Sequence, residues 1–261
     1  MRWLLTLLAL TLAVPAHAQP EVEDDICADR GGLASSTCVV GKGRVNVELG
    51  IDWSFQEDGD DRTDTLLAGD AVVRIGIDER TEVQVGWTAF GRVRDRAAGQ
   101  VTSDDSVGDA FVGVRRLLHE GNGVTVAVQG RFGLPIGGSA IGSGDWGAEL
   151  LVPFEFTLNK TTSLLLTPSI AAAPDADRRG RHLAYGFAAG LGVKFSRQLS
   201  SQIDLSIARD EDPLGHGTEA LAGLAFTYLV NPNLQLDAGA VIGLSEDAAD
   251  LELYLGAAKR F

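Results

Sequence analysis

The sequence is short of basic residues and of long apolar segments, and each shortage excludes a class of protein. Its 22 Lys and Arg stand against 36 Asp and Glu, which gives a net charge of −14. Nucleic-acid binding is therefore not expected, because a phosphate backbone is bound through a basic face. Beyond the first twenty residues no run of 18 apolar residues occurs, which excludes membrane-spanning helices. Disorder is disfavoured too, because 45% of the 261 residues are hydrophobic.

The first eighteen residues are typical of a secretory signal peptide. A positive start at Arg2 is followed by an apolar run over 3–14 and by small residues at Ala16 and Ala18. The pattern predicts export, with cleavage after Ala18 and removal of residues 1–18.

Only two cysteines are present, Cys27 and Cys38, and both precede the patterned part of the chain. Export implies an oxidising compartment, so we expect a disulfide between them. Residues 19–42 are predicted to form a periplasmic N-terminal segment that contains this loop. Its position suggests a small plug at the periplasmic mouth of the domain that follows.

From residue 43 onward, apolar and polar residues alternate. Over 44–55 the apolar side chains from Val45 to Phe55 share one parity and the polar ones from Arg44 to Ser54 share the other. Successive side chains of a strand point to opposite faces, so each such segment has one apolar and one polar face. Twelve strands are predicted, at 43–55, 65–77, 81–94, 106–118, 123–135, 145–158, 162–174, 182–195, 199–209, 218–230, 233–244 and 250–261.

The strands and their connections favour an outer-membrane barrel over a soluble sandwich or lipocalin-like barrel. Short turns alternate with longer acidic or glycine-rich loops, which is the outer-membrane pattern. Predicted strands of 10–14 residues exceed the soluble norm of about 5–6 but suit a tilted crossing. The terminal Phe261 on an amphipathic strand resembles the signal read by the barrel insertion machinery. We predict an all-β fold over 43–261: a closed antiparallel transmembrane β-barrel of about 12 strands in an up-and-down meander.

Charged residues of both signs fall on the polar parity of these strands. They would be costly against lipid, at roughly 2–4 kcal/mol for Arg or Lys near the midplane, so they face water or each other. Two interpretations stay open, a narrow polar channel or a ladder of ion pairs that fills the interior. The predicted pore-lining residues, which would set the charge field of a channel, are Arg74, Glu82, Arg92, Arg115, Arg131, Glu149 and Glu155.

The sequence gives little support for catalysis, a metal or a cofactor. His119, His182 and His216 show no Ser/His pattern; a hydrolase would need a Ser within hydrogen-bond reach of His182 or His216. The acidic run 57–61 with Asp64 has calcium-binding chemistry but lacks the ordered spacing of a calcium loop. A solvated external loop is preferred. No glycine-rich phosphate loop opens a helix, so no cofactor is expected.

Several short motifs, taken in order, resemble the outer-membrane transporter family named for the MetA pathway of phenol degradation, over roughly residues 100–261. The resemblance implies a barrel that passes small solutes, aromatic compounds among them. The implied partners are outer-membrane lipid and lipopolysaccharide, the insertion machinery and a small-molecule solute. The alternative is a non-conducting structural or adhesive barrel with a salt-bridged lumen. The motifs lie at 108–116, 133–137, 141–147, 151–154, 181–186 and 259–261.

Overall fold

The structure is a computed structural model that describes residues 24–261, and the predicted signal peptide lies outside the described residues. Within 24–261 no helix is long and apolar enough to cross a bilayer. Regular structure in this range consists of strands. They are β1 (Val45–Asp58), β2 (Asp61–Asp78), β3 (Thr81–Ala97), β4 (Gln100–Ser106), β5 (Ala110–Gly121), β6 (Val124–Leu134), β7 (Ala148–Leu151), β8 (Phe154–Thr157), β9 (Thr162–Pro174), β10 (Arg181–Lys194), β11 (Leu199–Asp210), β12 (Gly217–Asn231), β13 (Leu234–Gly243) and β14 (Leu251–Arg260).

The strands form a closed antiparallel meander. Neighbours in sequence pair with each other, and β1 closes the ring on β14 from Asn46–Arg260 to Phe55–Leu251. Two wall positions are each shared by two short strands. β4 and β5 both pair with β3, and β7 and β8 both lie between β6 and β9. The fourteen strands thus occupy twelve wall positions, which confirms the predicted barrel.

The barrel carries its apolar side chains outside and its polar side chains inside. Ile51 and Leu205 are 45% and 59% exposed, whereas Glu82 and Arg115 are fully buried. A soluble barrel has the opposite arrangement, because water outside favours polar groups there. An apolar exterior around a polar interior is the distribution of a transmembrane barrel.

Two predicted external loops, 56–64 and 95–105, are instead extended hairpins. β1 and β2 continue to a two-residue hairpin turn at Gly59, and β3 and β4 continue to one at Gly99, both at the same end of the barrel. Both glycines have positive φ, +60° and +75°, which a two-residue turn requires and which glycine adopts at no steric cost. The polar composition of these segments reflects exposure, and it hides their strand character.

A β-bulge in β2 changes which face its side chains take. Gly50 pairs with Asp70 but Ile51 pairs with Ala68, so Gly69 is an extra residue in β2. Its φ of +68° is the left-handed conformation that favours glycine. One inserted residue reverses the alternation of the strand beyond it, since the side-chain period is two.

Candidate functional site

The N-terminal segment lies inside the barrel. Cys27 and Cys38 are joined by a disulfide, and residues 26–40, here called the plug, fill part of the lumen. The plug lies at the end of the barrel with the short turns between β2 and β3, β5 and β6, and β8 and β9, here called the tight-turn end. Val40 of the plug donates to Glu82, which directly follows the turn between β2 and β3. Its hydrogen-bonding and ion-pairing partners lie around the inner wall, and they include Glu48, Arg74, Glu82, Arg115, Glu155, Thr167, Asp204 and Asp237 on β1, β2, β3, β5, β8, β9, β11 and β13.

Arg74 binds the backbone of both cysteines. Its Nη1 donates to the carbonyl oxygen of Cys27 at 2.9 Å and its Nη2 to that of Cys38 at 3.0 Å. The same guanidinium donates to Glu82 Oε1 at 2.8 Å and to Glu48 Oε1 at 3.0 Å. All three charged side chains are buried. A buried charge is tolerated only when it is paired and fully hydrogen-bonded, and Arg74 meets that condition.

Arg115 forms a second anchor on the neighbouring wall. It donates through Nε to Gln129 Oε1 at 2.8 Å, through Nη1 to the Cys38 carbonyl at 3.2 Å, and it pairs closely with Asp29 of the plug. Burial raises the pKa of Asp29, but the charges of Arg115 and Arg74 outweigh it and hold that pKa below its usual value of 3.8. Asp29 is therefore a carboxylate at neutral pH.

Arg30 anchors the opposite side of the plug. Its Nε donates to Asp237 Oδ1 at 3.2 Å, and Nη1 lies 3.7 Å from Asp70 Oδ2. The guanidinium lies directly over Gly50 and Gly256, where any Cβ would collide with it. Glycine at these two wall positions makes room for the arginine to reach its carboxylates.

Side chains of the wall also satisfy the irregular backbone of the plug. Ala34 N donates to Asp204 Oδ1 at 3.2 Å and Ser35 N donates to Thr167 Oγ1 at 3.1 Å. Val40 N donates to a Glu82 carboxylate oxygen at 2.8 Å. Buried N–H groups outside regular structure need such partners. The plug is thus held by its backbone as well as by its charges.

The inner wall is divided into two unlike sectors. The sector on β1–β6 carries long polar side chains, and Gln84 and Gln129 there link Glu82 to Arg115. The sector on β9–β12, here called the small-residue sector, carries mostly Gly, Ala, Ser and Thr on its inner face. Its inward members include Ser163, Ser169, Gly186, Ala188, Gly190, Gly192, Ser200, Ser206, Gly223, Ala225 and Thr227.

A cavity of about 330 Å³ lies between the plug and the small-residue sector. It is lined by the plug from Ile26 to Cys38 and by wall residues that include Ser163 and Gly192. It also reaches the tight turn at 159–161 between β8 and β9. The plug contacts both sectors, since Ala34 packs against Leu165 and Ala188 of the small-residue sector. The cavity is the space left between the plug and the part of that sector nearest the turn at 159–161.

The predicted pore-lining residues do not share one environment. Arg74, Glu82 and Arg115 are fully buried against the plug. Glu155 accepts a hydrogen bond from Thr37 of the plug at 3.1 Å. Four of the seven thus hydrogen-bond to the plug as well as facing the interior.

Arg131 and Glu149 lie on the inner face, Arg131 on β6 and Glu149 on β7. Arg131 Nη1 lies 3.7 Å from Glu149 Oε2, and its Nη2 lies 3.8 Å from Asp29 Oδ2. Both are partly exposed, about one third of each side chain. This pair lines the lumen on the side of the plug away from the tight turns.

Arg92 takes the other face of the sheet. Arg92 is the cross-strand neighbour of Leu66, and Leu66 is that of Trp53, which points outward like Ile51. Directly opposed residues of neighbouring strands share a face of the sheet. Arg92 is therefore on the outer side of the extended hairpin, where it lies 3.8 Å from Asp105. Strict alternation predicts an inward side chain here. The difference arises because β3 stays in register with β2 across the bulge at Gly69, so β3 changes face at the same level.

The other residues singled out by sequence lie at the periphery. Phe261 exchanges backbone hydrogen bonds with Val45 at the closing seam, and its ring is exposed. Arg62, which follows the acidic run, forms ion pairs with Glu57 and Asp64, both at 2.7 Å. Part of the negative charge of this segment is therefore neutralised by a residue of the chain itself. The polar partners that the structure gives His182 are all carboxylates, which provides no nucleophile for a hydrolase.

Comparison with known proteins settles the family. The family model described as "Putative MetA-pathway of phenol degradation" matches residues 28–261. The chain belongs to this family. The match extends the resemblance seen in the sequence at 100–261 to the N-terminal side and includes most of the plug. No curated protein sequence matches the chain.

Solved structures show the same fold. An outer membrane channel from Pseudomonas putida F1 is similar with a TM-score of 0.75 and 13% identity, over 90% of this chain and 100% of that one. The KdgM porin has a TM-score of 0.53 at 8% identity over 83% and 99%. The translocator domain of autotransporter NalP from Neisseria meningitidis has a TM-score of 0.50 at 15% identity over 85% and 89%. This family member thus has the barrel fold of bacterial outer-membrane proteins.

Several neutral polar residues that bond to the plug, or to the side chains that hold it, were not identified from the sequence. Asn46, Gln84 and Gln129 are fully buried in the lumen and hydrogen-bonded. In the sequence each is a neutral polar residue at an inward position of a strand. Such a residue cannot be distinguished from one that faces water until its hydrogen-bond partner is known.

Proposed function

We propose that this protein is a passive outer-membrane channel for small solutes, with a path that runs beside the plug along the small-residue sector. The tight-turn end, where the plug is held, faces the periplasm, and the extended hairpins and long loops face outward. Family membership and the barrel fold support this proposal. Diffusion down a gradient needs no nucleotide or cofactor.

The observation that carries the proposal is the asymmetry of the lumen. A barrel that needed only a filled interior would gain from large side chains all the way round, because empty space forfeits packing energy. Instead, the cavity wall on β9–β12 carries Ser163, Gly192 and Ser200, although glycine weakens a strand. The cost is offset if that sector must remain open to a solute.

The cavity suits a single-ring compound. Its volume of about 330 Å³ exceeds the roughly 150 Å³ of an engineered cavity that binds benzene. Ser and Thr hydroxyls on its wall can donate to and accept from polar substituents, and Lys160 and Lys194 border it near the tight turns. We infer that the solutes include small aromatic compounds, and that those with an anionic group pass more readily than cationic ones.

A second candidate is a non-conducting barrel with a structural role. The buried ion pairs of Arg74 with Glu48 and Glu82, and of Arg115 with Asp29, favour it, because they fill the charged side of the lumen next to the plug. The two candidates differ in one respect only, which is whether the space beside the plug is continuous.

Single-channel recording from the refolded protein without residues 1–18 tests the proposal. Folding is verified separately, from β-type circular dichroism and the heat-dependent shift of the barrel in gel electrophoresis. Discrete current steps in a planar bilayer, reduced by millimolar aromatic acid, are the expected result. A folded protein that gives no steps would overturn the channel and favour the sealed barrel.

A further inference from the structure

Three side chains, from two neighbouring loops and the start of one strand, converge at the end of the barrel away from the tight turns. Asp175 follows β9, His182 is the second residue of β10, and Asp212 follows β11. His182 Nδ1 lies 3.0 Å from Asp175 Oδ1 and 3.6 Å from Asp212 Oδ2. The ligand atoms of all three residues lie within 4.8 Å of one another.

These separations suit a small metal ion. Zn²⁺ binds imidazole nitrogen and carboxylate oxygen at about 2.0–2.2 Å, so the ligand atoms of a tetrahedral centre are about 3.4 Å apart. The two distances from Nδ1 bracket that value. Two carboxylates and one imidazole supply three ligands and leave a fourth position for water.

The surroundings hold two of the ligands in place. Asp212 accepts hydrogen bonds from Leu214 N at 2.7 Å and Ala176 N at 2.6 Å, and these two bonds fix its orientation. His182 Nε2 has no well-aligned hydrogen bond but lies 2.7 Å from Asp210 Oδ1. A carboxylate on the far nitrogen is the usual partner of a histidine that binds metal.

The charge of the cluster is not balanced by the chain. Asp175, Asp210 and Asp212 carry three negative charges around a single imidazole, and the side chain of His182 is only 4% exposed. The nearest strand arginines bind elsewhere: Arg181 pairs with Asp145, and Arg209 pairs with Glu211 at 3.0 Å. Even a protonated His182 leaves an excess of negative charge around a buried imidazole, and a bound cation would balance it.

We propose that Asp175, His182 and Asp212 bind one divalent transition-metal ion of the Zn²⁺ type, with Asp210 orienting the imidazole. A mixed nitrogen and oxygen ligand set selects such an ion over Ca²⁺ or Mg²⁺, which prefer oxygen alone. The ion joins loop 175–180 to loop 211–216 and fixes both at the outer rim of the lumen.

Zn²⁺ titration of the refolded, chelator-treated protein by calorimetry tests this site, and the absorption spectrum of bound Co²⁺ reports its geometry. One ion per chain is expected. His182→Gln and Asp212→Asn should each weaken binding more than tenfold. Asp210→Asn should weaken it by about 10–100-fold, the usual effect of removing the carboxylate that orients a metal-binding histidine.

His216→Gln is the matched control, because His216 is an exposed histidine in the same loop as Asp212. It should bind Zn²⁺ as the unaltered protein does. The proposal is overturned if the folded protein binds no Zn²⁺, if His216→Gln weakens binding as much as His182→Gln, or if Ca²⁺ binds as tightly as Zn²⁺. Circular dichroism confirms that each variant is folded before titration.

Discussion

Arg74 on the barrel wall donates a 3.0 Å hydrogen bond to the carbonyl oxygen of Cys38 in the plug. The guanidinium is fully buried, and a second bond reaches the carbonyl of Cys27. One wall side chain thus holds both ends of the disulfide loop. The plug and the barrel are coupled at this point, and the stability of each depends on the other.

Arg74→Ala should therefore destabilise the whole barrel. Its loss leaves the buried carboxylates of Glu48 and Glu82 without a counter-charge, and breaking a buried pair in this way costs about 3–5 kcal/mol. Urea unfolding in lipid vesicles, followed by Trp fluorescence, measures the change. Arg92→Ala is the control, because Arg92 is exposed and its contact with Asp105 is long. Equal midpoints for the two variants would contradict the anchoring role.

Opening the disulfide should enlarge the conducting path. Cys27 and Cys38 close a loop with a sequence separation of 11, and reduction restores its freedom at a cost of about 2–3 kcal/mol to the folded state. We expect larger or noisier current steps on addition of a reductant. The double variant Cys27→Ser with Cys38→Ser should show that behaviour already and should not respond to reductant. Unchanged steps in both experiments would show that the plug does not limit the path.

Asp29 should make the plug sensitive to acid. Its pKa in the folded protein lies below the usual 3.8, because Arg115 and Arg74 outweigh the effect of burial. Its contribution to stability is thus fully present above pH 3.8 and is lost as the pH falls through the lower, folded value. Asp29→Asn should reduce stability at pH 7, and the difference from the unaltered protein should shrink below pH 3.8. A difference that stays constant down to pH 2 would contradict the ion pair.

The bulge in β2 should require its glycine. Gly69 has a φ of +68°, and an added Cβ would approach Ala89 at 3.0 Å. Gly69→Ala should cost about 1–2 kcal/mol in the urea experiment, the usual penalty for a left-handed non-glycine residue. Gly130→Ala is the matched control, because Gly130 is in β6 with open space where an added Cβ would lie. Equal effects of the two changes would exclude the conformational explanation.

The alternation of the sequence predicts the barrel because it depends on local geometry. Val45 to Phe55 alternate strictly, and that segment is β1 with its apolar side chains outward. The same alternation misplaces Arg92 because the bulge at Gly69 changes the face of the side chains on its hairpin side, in β2 and in β3, which stays in register with β2. A bulge has no strong local signature. The extended hairpins resemble loops in sequence because exposed strands beyond the membrane carry the polar residues that loops also carry.

The plug contacts and the histidine cluster could not be predicted from the sequence in the same way. Asp29 meets Arg115, 86 positions away, and His182 meets Asp212, 30 positions away. Such pairs become neighbours only when the ring closes and its register is fixed. The sequence shows which residue types are present on the inward parity, but closure determines which of them meet.

The continuous path beside the plug is tested most directly by blocking it from the cavity wall. Ser163 lines the cavity, whereas Ser103 is exposed on the external hairpin. Ser163→Cys and Ser103→Cys are each modified with a bulky methanethiosulfonate during single-channel recording, and mass spectrometry verifies the labelling. We predict that the current through Ser163→Cys falls by at least half while that through Ser103→Cys is unchanged. An undiminished current through fully labelled Ser163→Cys would contradict a solute path along the small-residue sector.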